Sequence, residues 1–454
     1  MVDQDAILTT WRETHIAKLQ ALRYVKAEGA VSEVNGILIE GVLPNARIGD
    51  LCTIGETKKT TLAEVIGFSN NKVLLSALGG LEGMACGATI TPHYVQHQIE
   101  CHDQLLGSVL DGYGRSLSGH ACAFSLESKN ATYPVINDAL APSKKPRIQT
   151  PLATGLKAID GLMTLGEGQR IGVFAGAGCG KTTLLAELAR NMPCDVIVFG
   201  LIGERGRELR EFLDHELDET LRQRCVLICS TSDKTSMERA RAASTATAIA
   251  EGFRAQGKRV LLLIDSLTRF ARAQRELGLA AGEPPGRGGF PPSVYTMLPR
   301  LVERAGNMEN AGSITAVYTV LIEGDVIAGD PIADEVRSLL DGHIVLSRQL
   351  AEKNHYPAID VLGSLSRIMS NITSDEHQHA ARTFRQLLAH YKDVEMLIQL
   401  GEYEPGHRAI TDYAVTRYPD ILGYLQQGMS QPHDLDTILF QLQELTLDAP
   451  SKDT

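Results

Sequence analysis

The chain has 454 residues, of which 43% are hydrophobic and 22% are charged, and its formal net charge is −11. This composition is typical of a soluble globular protein of two to four domains, and the negative charge argues against a nucleic-acid carrier. No apolar run is long enough for a transmembrane helix, no signal peptide is recognisable, and the eight cysteines lack the paired spacing of a disulfide framework or a zinc site, which favours reduced thiols in a cytoplasm.

The first 23 residues predict an amphipathic helix. Five apolar residues between positions 4 and 23 recur near helical spacing: Ile7, Leu8, Trp11, Leu19 and Leu22. Such a helix would either pack on its own domain or dock onto a membrane surface or a partner, and the sequence leaves both alternatives open.

Short strands separated by turns predict a small antiparallel β-barrel over residues 24–95. Period-two alternation runs through GAVSEVNGILIEGV and LAEVIGFSNNKVLLSAL, and Asn-Gly and Asn-Asn pairs mark the turns. An RNA-binding barrel would need stacked aromatic and basic residues, whereas residues 24–92 contain only Tyr24 and Phe68 as aromatics. A ring helicase of the Rho type is therefore a weak alternative.

Apolar strands alternate with helical segments after the barrel. From about residue 152 to 375 this alternation predicts a parallel sheet flanked by helices, and we place the whole domain at 96–375. The stretch near 130–151, rich in proline, lysine and polar residues, is interpreted as a linker within it. Residues 376–454 predict a C-terminal helical domain.

The stretch VFAGAGCGKTTLLAEL, residues 173–188, passes from a buried strand through a glycine cluster into a helix. It has the spacing of a phosphate-binding loop, with Ala175 in place of the first glycine, and it predicts binding of a nucleoside triphosphate. Lys181 could reach the β- and γ-phosphates, and the Thr182 hydroxyl could bind Mg²⁺. Eight residues are assigned to nucleotide binding: Gly176, Ala177, Gly178, Cys179, Gly180, Lys181, Thr182 and Thr183.

Carboxylates follow two other apolar strands. Asp265 ends KRVLLLIDS, where it could hold Mg²⁺ through a water, and Glu204 ends VFGLIGE, where it could polarise the attacking water. Arg205 could contact the γ-phosphate. In HYPAIDVLGSLSR, Tyr356 could stack on adenine, whereas spacing alone assigns no role to Arg367.

Several long motifs in the same order resemble the type III secretion ATPases, both flagellar and injectisome, which are relatives of the F-type rotary ATPase subunits. These motifs are GERGRE, LLIDSLTRFARAQRE, DPIADEVRSLLDGHIVLSR and YPAIDVLGSLSR, and the likeness extends over nearly the whole chain. The resemblance implies an N-terminal β-barrel, a central RecA-like P-loop ATPase domain with a mostly parallel sheet, and a C-terminal helical domain. It also implies hydrolysis of ATP with Mg²⁺ by a homohexameric ring that releases chaperones, unfolds export substrates and promotes their export.

The resemblance also implies individual roles. Lys181 and Thr182 match the loop lysine and the magnesium hydroxyl, and Asp265 matches the Walker B aspartate. Glu204 matches the catalytic glutamate. Arg205 matches a phosphate-contacting arginine, and Glu208 matches a carboxylate near the metal. Tyr356 matches an aromatic residue that stacks on adenine, and Arg367 matches an arginine finger that enters the neighbouring subunit's site.

The partners implied by the resemblance are a stator protein at the N-terminal segment, a coiled-coil stalk in the ring pore, chaperone–substrate complexes at the C-terminal domain and an export gate at the inner membrane, with no nucleic acid. The location would be the cytoplasm, at the inner face of that membrane. We favour the injectisome over the flagellar branch; a rotary F/V-type subunit or a Rho-like helicase are more distant alternatives. The loop 280–294 would either line the pore or form an ordinary surface connection, and Cys179 would make nucleotide binding sensitive to oxidation or alkylation.

Overall fold

The computed structural model describes residues 11–12, 15–16, 27–55, 60–119, 121–126, 131–323 and 329–450. The chain forms two compact units, Met1–Gln96 and His97–Thr454. The helix predicted for residues 4–23 lies outside the described residues, apart from 11–12 and 15–16, which are helical. Of the helices in the described part of the chain, none is both long and apolar enough to span a bilayer.

The first unit is a closed β-barrel, as predicted. Its strands are Gly29–Asn35 (β1), Leu38–Val42 (β2), Asp50–Ile54 (β3), Thr61–Ser69 (β4), Lys72–Ala77 (β5) and Thr89–Gln96 (β6). They pair in the order β1-β2-β5-β4-β3-β6. The predicted Asn-Asn turn joins β4 to β5, where Asn70 and Asn71 have φ of 46° and 66°, the left-handed values that a tight hairpin turn requires. Ile39, Val65 and Leu75 lie fully buried in the interior.

The second unit contains a nine-stranded sheet. The strands of this unit are Gln98–Glu100 (β7), Val109–Leu110 (β8), Thr132–Pro134 (β9), Pro151–Leu152 (β10), Leu165–Gly166 (β11), Arg170–Ala175 (β12), Val196–Glu204 (β13), Cys225–Thr231 (β14), Arg259–Asp265 (β15), Gly306–Asn307 (β16), Ser313–Leu321 (β17), Gly342–Leu346 (β18) and Leu365–Ser366 (β19). The sheet order is β19-β18-β12-β17-β15-β13-β14-β8, with β16 paired to β17. The pairs from β18 to β8 are all parallel, as the strand–helix alternation predicts.

Helices cover both faces of this sheet. The α-helices described in this unit, including those of the C-terminal region, are Lys157–Asp160 (α1), Lys181–Asn191 (α2), Gly206–Glu211 (α3), Glu219–Arg222 (α4), Ser236–Ala255 (α5), Leu267–Ala280 (α6), Pro292–Val302 (α7), Pro331–Leu339 (α8), Arg348–Glu352 (α9), Met369–Ile372 (α10), Asp375–Leu400 (α11), Ala409–Leu425 (α12) and Leu435–Thr446 (α13). Side chains alternate along each strand, so in β13 Ile197 and Phe199 join one core while Val196 and Val198 join the other. Both faces are buried, and the strands therefore read as continuous apolar runs.

The C-terminal helices α11, α12 and α13 share a core with α2. Phe384 and Tyr424 meet there with ring centroids 5.2 Å apart. His377 Nε2 lies 2.8 Å from the Gly161 carbonyl oxygen. The helical character of this region is confirmed, while the boundary near residue 375 stays a prediction.

The predicted linker near 130–151 and the loop 280–294, predicted either to line a pore or to form a surface connection, both contact other parts of the second unit. Within the stretch near 130–151, Val135 is fully buried, and Lys145 Nζ lies 2.9 Å from Glu303. In the loop 280–294, Arg287 pairs with Asp334 at 3.2 Å. Composition marks such segments as turn-rich, but it does not reveal partners that lie far away in sequence.

A buried ion pair just after α7 provides a test of this packing. The Arg304 guanidinium donates two hydrogen bonds to the Glu251 carboxylate, at 3.0 and 2.6 Å, and both side chains are buried. Arg300 lies on α7 and makes a 3.5 Å pair with Asp138 at the exposed surface. Replacing Arg304 leaves a buried carboxylate without its main partner, whereas replacing Arg300 does not.

We expect Arg304→Met to lower the free energy of unfolding by about 3 kcal/mol, and Arg300→Met to lower it by less than about 1 kcal/mol. Equilibrium unfolding in urea, followed by circular dichroism, measures both. Equal losses for the two variants would contradict the assignment of Arg304 to the buried network.

Candidate active site

The loop between β12 and α2 has the conformation of an anion cradle. Gly178 and Gly180 have φ of 79° and 80°, which side chains other than glycine rarely adopt. Gly180 caps the amino end of α2, and its carbonyl accepts the Leu184 N–H at 2.9 Å. The first N–H groups of α2 lack helical acceptors and, with the helix dipole, favour a negative charge at this point.

Lys181 lies between the two predicted carboxylates. Its Nζ is 2.5 Å from Asp265 Oδ1 and 3.6 Å from Glu204 Oε1. Asp265 is buried and also accepts the Thr319 hydroxyl at 2.7 Å. The carboxyl ends of β12, β15 and β13 therefore bring three predicted site residues into one charged cluster.

Glu204 is aimed into this cluster by a β-bulge. The pairing of β13 with β14 shifts register between Ile202 and Glu204, and Gly203 takes a φ of 65°. A bulge of this kind re-aims the following side chain. Arg269 Nη1 then lies 3.0 Å from Glu204 Oε2, and the same guanidinium donates to the Gly203 carbonyl.

Burial, reinforced by the negative charge of Asp265, raises the pKa of Glu204, while Lys181 and Arg269 oppose this rise. A hydrogen bond shared with Glu204 lowers the pKa of Glu208. The two carboxyl groups therefore influence each other's titration. Glu204 is thus a carboxyl group whose ionisation depends on its charged neighbours.

Glu208 and Arg205 lie at the mouth of the cluster. Arg205 is largely exposed and pairs with Glu208 at 3.1 Å. A cavity of 480 Å³ connects Glu208 with Thr182, Glu204 and Asp265. The structure therefore brings the predicted metal ligands to one cavity, but it holds Arg205 at the edge rather than at the phosphate loop.

Tyr356 lines a second, mostly apolar hollow on the other side of the loop. A Cβ placed on Gly180 would stand 3.7 Å from its ring. Thr183 and Met429 line the same hollow. A flat base attached to a phosphate chain in the loop could enter here, next to the half-exposed Tyr356 ring.

Arg367 lies away from all of these residues. Its backbone N–H donates to the Asp341 carbonyl at 2.9 Å, and its Nη2 lies 3.3 Å from the Arg337 carbonyl oxygen. Asp341 binds Arg170, the first residue of β12, while the phosphate loop follows the last, Ala175. Since a strand rises about 3.3 Å per residue, about 17 Å separates these two ends, and Arg367 does not reach the phosphate loop of its own chain.

Sequence reasoning missed Arg269 and Thr319. Arg269 carried a signal, because it lies in the first turn of the helix that follows Asp265, whereas Thr319 is one of several hydroxyl residues in its strand and did not stand out. In the structure both contact the cluster carboxylates.

Three family models match the chain in order. The beta-barrel domain of the ATP synthase alpha/beta family matches residues 31–92, its nucleotide-binding domain matches 155–366, and the T3SS EscN ATPase C-terminal domain matches 373–444. Together with the fold and the phosphate loop, these matches define a nucleotide-binding P-loop ATPase of the ATP synthase alpha/beta class.

The chain belongs to the type 3 secretion system ATPase family. It is 61% identical over 449 residues to the Type 3 secretion system ATPase of Pseudomonas savastanoi pv. phaseolicola, covering 98% of this chain and 100% of that protein. The Flagellum-specific ATP synthase of Pseudomonas aeruginosa is 46% identical over 413 residues, covering 90% of each. The predicted family, ATPase activity and preference for the injectisome branch are confirmed.

Two solved structures of the ATPase EscN of enteropathogenic E. coli have the same fold. The assembled form superposes with a TM-score of 0.86 at 44% identity, covering 92% of this chain and 100% of that one. The assembled form in complex with its central stalk EscO has a TM-score of 0.84 at 44% identity, with the same coverage. The predicted three-part architecture is thereby confirmed.

Cys179 is only 1% exposed, although it lies in the phosphate loop. The residue packs in the hydrophobic core and also lines the hollow beside Tyr356, so attack on the thiol requires local opening of the loop, and its sensitivity to oxidation or alkylation stays a prediction.

We expect a charged thiol reagent to modify Cys179 at least about ten-fold more slowly than the exposed Cys86 and Cys122, since reaction requires local opening. Peptide mapping by mass spectrometry after timed labelling measures the rates, and protein unfolded in urea, where all thiols react alike, is the control. Equal rates in the native protein would show that the loop opens readily.

Proposed function

We propose that this chain hydrolyses ATP at the subunit interfaces of a homohexameric ring and thereby drives export through a type 3 secretion apparatus of the injectisome kind. The observation that carries the proposal is the cluster of Lys181, Asp265 and Glu204 at one edge of the sheet, beside a phosphate-binding loop. Work on exported proteins, namely release from chaperones and unfolding, is the use of ATP that the family resemblance implies.

Lys181 and Glu204 have the central roles in this proposal. Lys181 binds the β- and γ-phosphate oxygens and neutralises their charge. Glu204, once ionised, accepts a hydrogen bond from the attacking water and aligns it with the γ-phosphorus. Arg205 adds positive charge at the mouth of the cavity, and Tyr356 stacks on adenine.

Thr182, Asp265 and Glu208 would hold Mg²⁺. They fit this ion because a hydroxyl and two carboxylates line one cavity, and Mg²⁺ prefers oxygen ligands. When bound, the ion neutralises charge on the phosphate oxygens. Asp265 is kept in place for this by the Thr319 hydroxyl.

Arg367 completes the site of a neighbouring subunit. Its place about 17 Å along β12 from its own phosphate loop supports a role in trans, and its exposed side chain is available to a second copy. An arginine supplied across an interface accelerates phosphoryl transfer by about 10³- to 10⁵-fold. The assembled form of EscN is the relative that supports a ring.

Other partners follow from the same reasoning. The complex of EscN with its central stalk supports a coiled-coil stalk in the pore of this ring. A stator protein at the N-terminal segment, chaperone–substrate complexes at the C-terminal helices, and an export gate at the cytoplasmic face of the inner membrane complete the proposed assembly. Loop 280–294 is proposed either to line the pore or to remain a surface connection.

Mixed rings test the role of Arg367 in trans. We expect Lys181→Ala and Arg367→Ala to be nearly inactive separately, with Arg367→Ala losing about 10³-fold or more in kcat. When equal amounts of the two variants assemble at random into rings, about one quarter of the interfaces pair an intact phosphate loop with an intact arginine. ATPase activity should therefore return.

The matched control mixes Lys181→Ala with Glu204→Gln. Lys181 and Glu204 belong to the same cluster within one chain, and every chain in this mixture carries one of the two changes. No intact site can therefore form, and ATPase activity should stay absent. Phosphate release measured against subunit ratio gives both results. An inactive mixture of Lys181→Ala with Arg367→Ala would show that Arg367 does not act across the interface.

The pKa of Glu204 predicts the pH dependence. Activity requires ionised Glu204, whose pKa is raised, so kcat/KM should fall on acidification at a pH above the usual glutamate value. Arg269 lowers this pKa, and Arg269→Ala should therefore move the acid limb to higher pH. Arg272→Ala, which changes an exposed arginine on the same helix, is the control. An acid limb of the pH profile that shifts equally in Arg272→Ala would argue against Glu204 as the titrating base. The same conclusion would follow if the acid limb did not shift in Arg269→Ala.

A further inference from the structure

Asp341 lies between Arg367 and the start of β12 and contacts both. Its carbonyl accepts the Arg367 N–H at 2.9 Å. Its carboxylate accepts the backbone N–H, the Nε and the Nη2 of Arg170, each at 3.0 Å. One residue thus links the arginine backbone to the strand that ends in the phosphate loop.

Arg170 is fixed from its other side as well. Its guanidinium also pairs with Glu303, and Glu303 accepts Lys145 at 2.9 Å. Lys145, Glu303, Arg170 and Asp341 therefore form a row of alternating charges along the amino edge of the sheet. The forked guanidinium between two carboxylates gives this row a defined geometry that a point charge would not give.

The residue before Arg367 is tied to the same edge. The Ser366 hydroxyl donates to the Thr164 carbonyl at 2.9 Å and accepts Gln169 Nε2 at 3.1 Å. The Arg367 backbone is therefore anchored at two successive residues, while its guanidinium is exposed. An anchored backbone below an exposed guanidinium suits a group that must enter a neighbouring molecule in one orientation.

We propose that Asp341 and Arg170 are positioning residues for Arg367. They hold its backbone in the position from which the side chain enters the neighbouring active site. The inference rests on the proposed role of Arg367 in trans. Neither residue touches the nucleotide of its own chain, because both lie at the amino end of β12. Their contribution is therefore to the neighbour's kcat and not to ATP binding.

The first test replaces Asp341 with Asn, which keeps the shape and removes the charge. We expect kcat to fall about 10- to 100-fold, as for a catalytic group displaced by about an ångström, with KM for ATP unchanged within two-fold. Arg170→Lys keeps the positive charge but not the fork, and should give the same split between kcat and KM. Asp420→Asn, which alters a surface pair with Arg417, is the control and should leave both constants unchanged.

The second test separates positioning from general damage. Asp341→Asn subunits retain an intact phosphate loop, and Lys181→Ala subunits retain an intact arginine row. Mixed rings should therefore recover activity above that of either variant alone, because the Lys181→Ala chain donates a correctly placed Arg367. A variant that merely misfolds, or that disturbs its own phosphate loop through β12, would gain nothing from mixing.

The outcomes distinguish the two proposals. If Arg367→Ala with Lys181→Ala recovers activity and Asp341→Asn with Lys181→Ala does not, Arg367 acts in trans but Asp341 does not position it. If both mixtures stay inactive, the role of Arg367 in trans is itself wrong. Unchanged kcat in Asp341→Asn and Arg170→Lys would also overturn the inference.

Discussion

The contact between Lys181 and Asp265 is the interaction around which the active site is organised. It exists because β12 and β15 run parallel, so the loop that follows one and the carboxylate that ends the other meet at the same edge of the sheet. The strand between them, β17, contributes Thr319 to hold the same carboxylate. Two cations, Lys181 and Arg269, face two carboxylates, Asp265 and Glu204, and this balance allows four charged groups to be largely buried together.

The backbone determines how Glu204 enters that balance. A regular strand would carry its side chain along the alternation of β13, into a core face, whereas the bulge at Gly203 turns it toward Lys181. Burial and Asp265 then raise the pKa of Glu204, while Arg269 and Lys181 restrain it. A carboxylate adjusted by neighbours of both signs can be ionised despite its burial, which is the state that the proposed role of Glu204 requires.

The sequence could predict those features that depend on local pattern. Alternation and turn residues such as Asn70 and Asn71 indicated the barrel, and apolar strands alternating with helices indicated the parallel sheet. Strand ends indicated Asp265 and Glu204. Arg269 and Thr319 were missed because their roles depend on how adjacent elements pack, and the burial of Cys179 could not be predicted because burial is a tertiary property.

If Arg367 acts in trans as proposed, its position explains why the site is divided between subunits. The phosphate loop follows one end of β12, and the residues that hold Arg367 are attached to the other. The two ends of this strand are about 17 Å apart, so Arg367 cannot complete the phosphate loop of its own chain. Copies arranged head to tail supply each loop with an arginine, and only closure into a ring leaves no loop without one. On the proposed assignment, the requirement for a ring follows from the separation between the two ends of one strand.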